Sequence, residues 1–93
     1  MGGCMEQKVL VIEVKDNVAV ALEDILAGTE LVLSDGRRFN AVTDIPYSHK
    51  VAIVALSAGD TVIKYGEAIG QASGDIRMGE LVHTHNLEPV EEI

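Results

Sequence analysis

Cys4 is the only cysteine in the 93 residues, so no intrachain disulfide can form and stability must come from packing. A reducing compartment is the expected setting. Aromatic residues are nearly as scarce: Phe39, Tyr47 and Tyr65 are the only three, and there is no tryptophan. A core must therefore be assembled from Val, Ile, Leu and Ala. Seven basic residues stand against fifteen acidic ones, a net charge of −8, and the basic ones are scattered. No basic stripe is left to track a phosphate backbone, so nucleic acid is not an expected partner. No apolar run approaches the roughly 18 residues a membrane helix needs. Met1-Gly2-Gly3-Cys4 has no apolar stretch ahead of the cysteine, and Glu6 stands where a myristoylation signal wants Ser or Thr. Neither a leader nor a lipid anchor is expected, and the chain reads as cytoplasmic.

What is present is 47% apolar, enough for a core, on a length that suits one domain over residues 1–93. Valine is frequent, and β-branched side chains suit pleated, half-buried surfaces. The apolar runs are short and bounded by turn residues: 9–14, 18–22, 31–33, 39–42, 51–56, 61–65 and 81–85. Ser34-Asp35-Gly36 predicts a hairpin turn between the third and fourth of these. Pro46 holds Ile45 extended and marks a connection ahead of Val51. No apolar period of 3.6 residues is sustained, so the chain is expected to be all-β.

One pattern occurs three times. Asp24-Ile25-Leu26-Ala27-Gly28-Thr29-Glu30-Leu31 aligns with Ala55–Val62 and with Asp75–Val82. In each, an apolar residue precedes by three a glycine that permits positive φ, and a strand start follows. The unequal spacing of the three glycines excludes a solenoid and predicts one domain that reuses a turn.

Chemistry-bearing side chains are few. His83-Thr84-His85-Asn86 is the densest group. Read as a strand, period-2 alternation puts His83 and His85 on one face, roughly 6–7 Å apart at the rise per residue. Two such imidazoles converge on one metal ion or one anion; the alternative is a pair of exposed polar residues at a strand end. Asn86 either orients a histidine or is a turn residue. Positive charge is locally enriched at Arg37-Arg38 and at His49-Lys50.

Three segments, Asp44–Ala52, Gly59–Ala72 and Asp75–Asn86, together resemble the small SAF-type domain of the altronate and galactarate dehydratase family. The resemblance runs in order from about residue 16 to 87, with the Lys64-Tyr65-Gly66 and His83-Thr84-His85-Asn86 blocks most specific. One departure is Ser48, where the family pattern has glycine; serine fits less easily if positive φ is needed there. The small subunit of (2R)-sulfolactate sulfo-lyase is also similar, and the sequence does not separate the two. The resemblance implies a β-clip fold with a bent hairpin, flexible ends at 1–8 and 88–93, and a fraction of a lyase completed by a large catalytic subunit. It implies loss of water, or of sulfite, from a sugar acid or other hydroxy acid. A divalent metal, iron by this resemblance, would be held mainly by the large subunit.

On that reading His83, His85 and Asn86 are the catalytic candidates, with His83 and His85 alternatively metal ligands. His49, Lys50 and Lys64 are the substrate-binding candidates, against the alternative of a solvated surface. Tyr65 is expected in the core, and Gly66 and Gly70 in turns. A non-catalytic SAF module that binds a sugar acid is the competing function, and a homo-oligomer is open.

Overall fold

Where the apolar runs are short and Val-rich, the chain forms short strands. The computed structural model describes residues 8–89, which contain no helix. Four strands, β1 (Val9–Leu10), β2 (Val18–Ala21), β5 (Lys50–Ala52) and β8 (Leu81–Val82), make an antiparallel sheet in the order β1-β2-β5-β8. The strands β3 (Glu30–Val32) and β4 (Arg38–Asn40) form a separate hairpin across the 34–36 turn. A third sheet joins β6 (Thr61–Lys64), β7 (Glu67–Ala72) and β9 (Leu87–Glu88). The domain is all-β, as the absence of helical period predicts. Cys4 and the outermost parts of both ends lie outside the described residues.

The pleat of the four-stranded sheet divides the apolar residues between two cores. Ala19, Ala21 and Val51 face one, with Ile25, Leu31, Ile45 and Ile53. Val18, Ala52 and Val82 face the other, with Leu56, Val62 and Ile76. Burial on both faces of a strand explains why Val18–Ala21 reads as an unbroken apolar run.

The turn device occurs four times, one more than the glycine pattern shows. Asp44-Ile45-Pro46-Tyr47-Ser48 is the additional copy, with Ser48 at φ 67° where the other copies have Gly28, Gly59 and Gly79 at φ 90–91°. The copies dock in pairs through bridges Ile25–Ile45 and Leu56–Ile76, whose side chains are all buried. Within the first pair the carboxylates exchange: Asp24 accepts from the Tyr47 N–H and Asp44 from the Ala27 N–H, each at 2.8 Å. The left-handed residue donates its N–H across each pair, Gly28 to Ala41 and Ser48 to Ala21, then Gly59 to Ala72 and Gly79 to Ala52.

Several local expectations are corrected. The run 9–14 is a strand only at Val9–Leu10, and Val14 is exposed. The Asp16 carboxylate folds the following loop back by accepting the Glu13 and Gly66 N–H groups. Burial pushes that carboxyl up, but the backbone N–H groups together outweigh it and hold its pKa below the ordinary value. The longest strand, β7, lies in a stretch with no clean alternation. Its Gly70 is a strand residue, not a turn residue, because a Cβ there would run into the Glu88 backbone of β9. Tyr65 is exposed, not core, since with Gly66 it forms the two-residue, positive-φ turn of the β6–β7 hairpin.

Candidate functional site

The β5–β8 ladder determines what meets at its end. Lys50 pairs with Val82 and Val51 with Leu81, so one step outward places His49 opposite His83. Their ring centroids are 4.8 Å apart and tilted by 52°. The fourth turn delivers His49 to this position directly after Ser48. The His49 Nδ1 lies 3.2 Å from the Tyr47 carbonyl. A carbonyl can only accept, so Nδ1 is the donor in that contact and, in the neutral ring, Nε2 keeps its lone pair.

The partner of His83 is therefore His49 and not, through strand alternation, His85. The strand stops at Val82, and residues 83–86 form a turn closed by the Asn86 N–H donating to the His83 carbonyl at 3.0 Å. Asn86 is buried and committed to the backbone: its Oδ1 accepts the His83 N–H at 2.9 Å and its Nδ2 donates to the Leu81 carbonyl at 2.8 Å. This is the turn-residue alternative, and it makes Asn86 the residue that positions His83. His83, Thr84 and His85 are exposed, and His85 has no hydrogen-bond or ring partner among the described residues. Replacing Asn86 by alanine strands two backbone groups, so a loss of about 1–3 kcal/mol is expected in denaturant unfolding, with the His83 ring signals shifting in NMR.

The lysine candidates come together at the same end of the sheet. Lys50 continues the row that contains Val20 and Val82. Asn17 ties β6 to this sheet through its side chain, which donates to the Thr61 carbonyl and accepts the Ile63 N–H. That stitching carries Lys64 towards Lys50. Partial burial, and then the positive charge of Lys64, hold the Lys50 pKa below its ordinary value. The Lys64 ammonium lies 4.7 Å from the centre of the Tyr65 ring. Neither lysine enters an ion pair among the described residues, whereas Arg37 and Arg38 are neutralised by Asp35 and Glu30.

The described residues hold no group of three or more His, Cys, Asp or Glu side chains able to take a metal ion. His49 and His83 alone do not complete the coordination shell of a divalent metal, so the donor set of the described residues does not fit the implied ion as a full site. The site is open, since residues 83–85 are exposed, and a cavity of about 240 Å³ lies between the 11–16 loop and the β3–β4 tip. Ser48, Asn17, Asp16 and Tyr65 shape the site without having been candidates from sequence. Only Ser48 had a readable signal, the Asp-Ile-x-x spacing it shares with the glycine turns.

The described residues form a small all-β domain with a histidine pair and two lysines at one end of its sheet. The chain belongs to the altronate/galactarate dehydratase SAF domain family, whose profile matches residues 7–89. It is 61% identical over 51 residues to the alpha subunit of (2R)-sulfolactate sulfo-lyase from Paracoccus pantotrophus, covering 55% of this chain and 76% of that subunit. Against the corresponding subunit from Chromohalobacter salexigens, identity is 40% over 74 residues, with 74% and 79% covered. Altronate dehydratase from Bacillus subtilis is 41% identical over 74 residues, 80% of this chain but only 15% of that enzyme. The relatives are lyases, and the chain corresponds to a small fraction of the large ones. No helix among the described residues is long and apolar enough to cross a membrane.

Proposed function

We propose that this chain supplies one wall of the active site of a lyase acting on a hydroxy acid, with the remainder provided by a large catalytic subunit. The observation that carries this reading is the His49–His83 pair, with ring centroids 4.8 Å apart at the end of the β5–β8 ladder that also holds Lys50. Elimination beside a carboxylate removes the α-proton, spreads the charge into the carboxylate as an enediolate, and releases the leaving group with its electron pair from the next carbon. Lys50 and Lys64 hold the carboxylate where charge accumulates. The His49–His83 pair exchanges a proton with the carbon acid or the leaving group through a free ring nitrogen. His85, further along the turn, offers a second exposed imidazole to the partner. The divalent metal implied by the resemblance is assigned to the large subunit, because the described residues do not complete a ligand set, and no step here depends on it.

Release of sulfite from sulfolactate is one reading of the reaction, supported by 61% identity over 51 residues to one sulfo-lyase subunit, while a second such subunit stands at 40% beside 41% for an altronate dehydratase. Breaking the C3–S bond with its pair leaving as sulfite, after loss of the C2 proton, yields an enol that tautomerises to a 2-keto acid. Dehydration of altronate or galactarate is the second reading, supported by the family that the whole domain matches.

The test is reconstitution with the large subunit, following 2-keto acid and sulfite from sulfolactate, altronate and galactarate. Turnover by the assembly and none by the chain alone is expected, since an open sheet end cannot exclude water. Turnover by the chain alone would overturn the division of labour. Binding of an acid by the assembly without turnover would make the domain a non-catalytic module.

A further inference from the structure

We propose that Ser48 contacts the substrate, its hydroxyl donating a hydrogen bond to an anionic oxygen of the hydroxy acid held beside the His49–His83 pair. The inference rests on the lyase reading above and gives Ser48, which there only shapes the turn, a direct contact with the substrate.

Four equivalent turns provide an internal comparison. Three use glycine at φ 90–91°, while the fourth holds Ser48 at φ 67°. Left-handed backbone disfavours any side chain, so glycine is the less strained choice at all four. The turn itself does not call for a hydroxyl: the Ser48 N–H donates to Ala21 as the Gly28 N–H does to Ala41. The Ser48 hydroxyl has no partner among the described residues, and the residue is exposed.

The other non-glycine residue with positive φ among the described residues is Tyr65, adjacent to Lys64. Both outliers therefore border the histidine and lysine pairs, and elsewhere in the described chain positive φ is left to glycine. Strain retained at such positions marks function more often than chance. A hydroxyl donor next to an imidazole suits an oxyanion, either a carboxylate or a sulfonate.

The experiment compares Ser48→Gly and Ser48→Ala in the enzyme assembled with its large subunit, together with melting of the full chain. Ser48→Gly relieves the backbone and is expected to raise Tm by roughly 5–10 °C while raising KM about tenfold. Ser48→Ala keeps the backbone strain and lacks the hydroxyl, so it should show the same KM increase with no gain in Tm. A purely structural serine would move Tm and leave KM unchanged. An effect confined to sulfolactate identifies the sulfonate as the contacted group; an effect on every acid turned over identifies the shared carboxylate. Wild-type turnover with KM unchanged in both variants overturns this inference alone. Absence of turnover by the wild-type assembly on all three acids overturns the lyase reading, and this inference with it.

Discussion

In the assembled enzyme, His83→Ala is expected to lower kcat by roughly 10²–10⁴, the range over which a positioned acid–base group contributes. Stability should hardly change, because His83 is exposed and its own side chain makes no hydrogen bond among the described residues. The turn geometry sharpens the expectation. Strand alternation would make His83 and His85 equivalent, whereas here only His83 faces His49, at 4.8 Å. His85→Ala should therefore cost less than His83→Ala, and His49→Ala should resemble His83→Ala. Steady-state kinetics with a pH–rate profile, set beside thermal melts of the same variants, decides the matter. A fall in Tm with kcat preserved would assign His83 a structural role.

The largest effect on stability is expected from Gly79→Ala, with Gly28→Ala as its control. Both glycines sit at φ 91°, so an alanine at either meets the same left-handed strain of about 1–2 kcal/mol. At Gly28 the new methyl enters open space. At Gly79 it runs into the Asn40 carbonyl at the end of β4, which adds about 1–3 kcal/mol of overpacking. For a domain of this size the control should lose roughly 5–10 °C in Tm and Gly79→Ala about twice that. The Gly79 carbonyl also accepts the Val42 N–H, and the Thr43 hydroxyl accepts the Leu81 N–H, so the clash lies where the β4 end is fastened to β8. Movement there reaches Val82 and then His83. Equal melting temperatures for the two variants would show that the contact yields without cost.

Parts of the fold were legible because their signals are local. The β3–β4 hairpin follows from Ser34-Asp35-Gly36, where Gly36 has φ 94°, and three of the four turns follow from their glycines. The fourth was hidden by Ser48, since a left-handed residue is recognisable in sequence chiefly when it is glycine. The strand β7 was missed because its side chains do not alternate. Its Gly70 is dictated by β9, a neighbour 17 or more residues along the chain.

The candidate site divides in the same way. His49, Lys50, Lys64 and His83 were visible as residue types capable of handling an anion and a proton. Their grouping into a histidine pair and a lysine pair depends on the β5–β8 register and on Asn17 fastening β6 to β2. Asn86 shows the limit most clearly: beside two histidines it suggests chemistry, yet its burial assigns both ends of its amide to backbone atoms.

Composition and periodicity by themselves determined an all-β domain with an aliphatic core, an acidic surface and a repeated glycine turn. These depend on side-chain volume, β-branching and backbone freedom, which each residue carries wherever it stands. Only the tertiary structure decided that the apolar residues form two cores on opposite faces of one sheet, that His83 pairs with His49 and not with His85, and that a serine holds a glycine's place beside them. Those outcomes rest on which distant strands pair and in what register, and a shift of one residue in that register would send every side chain to the other face.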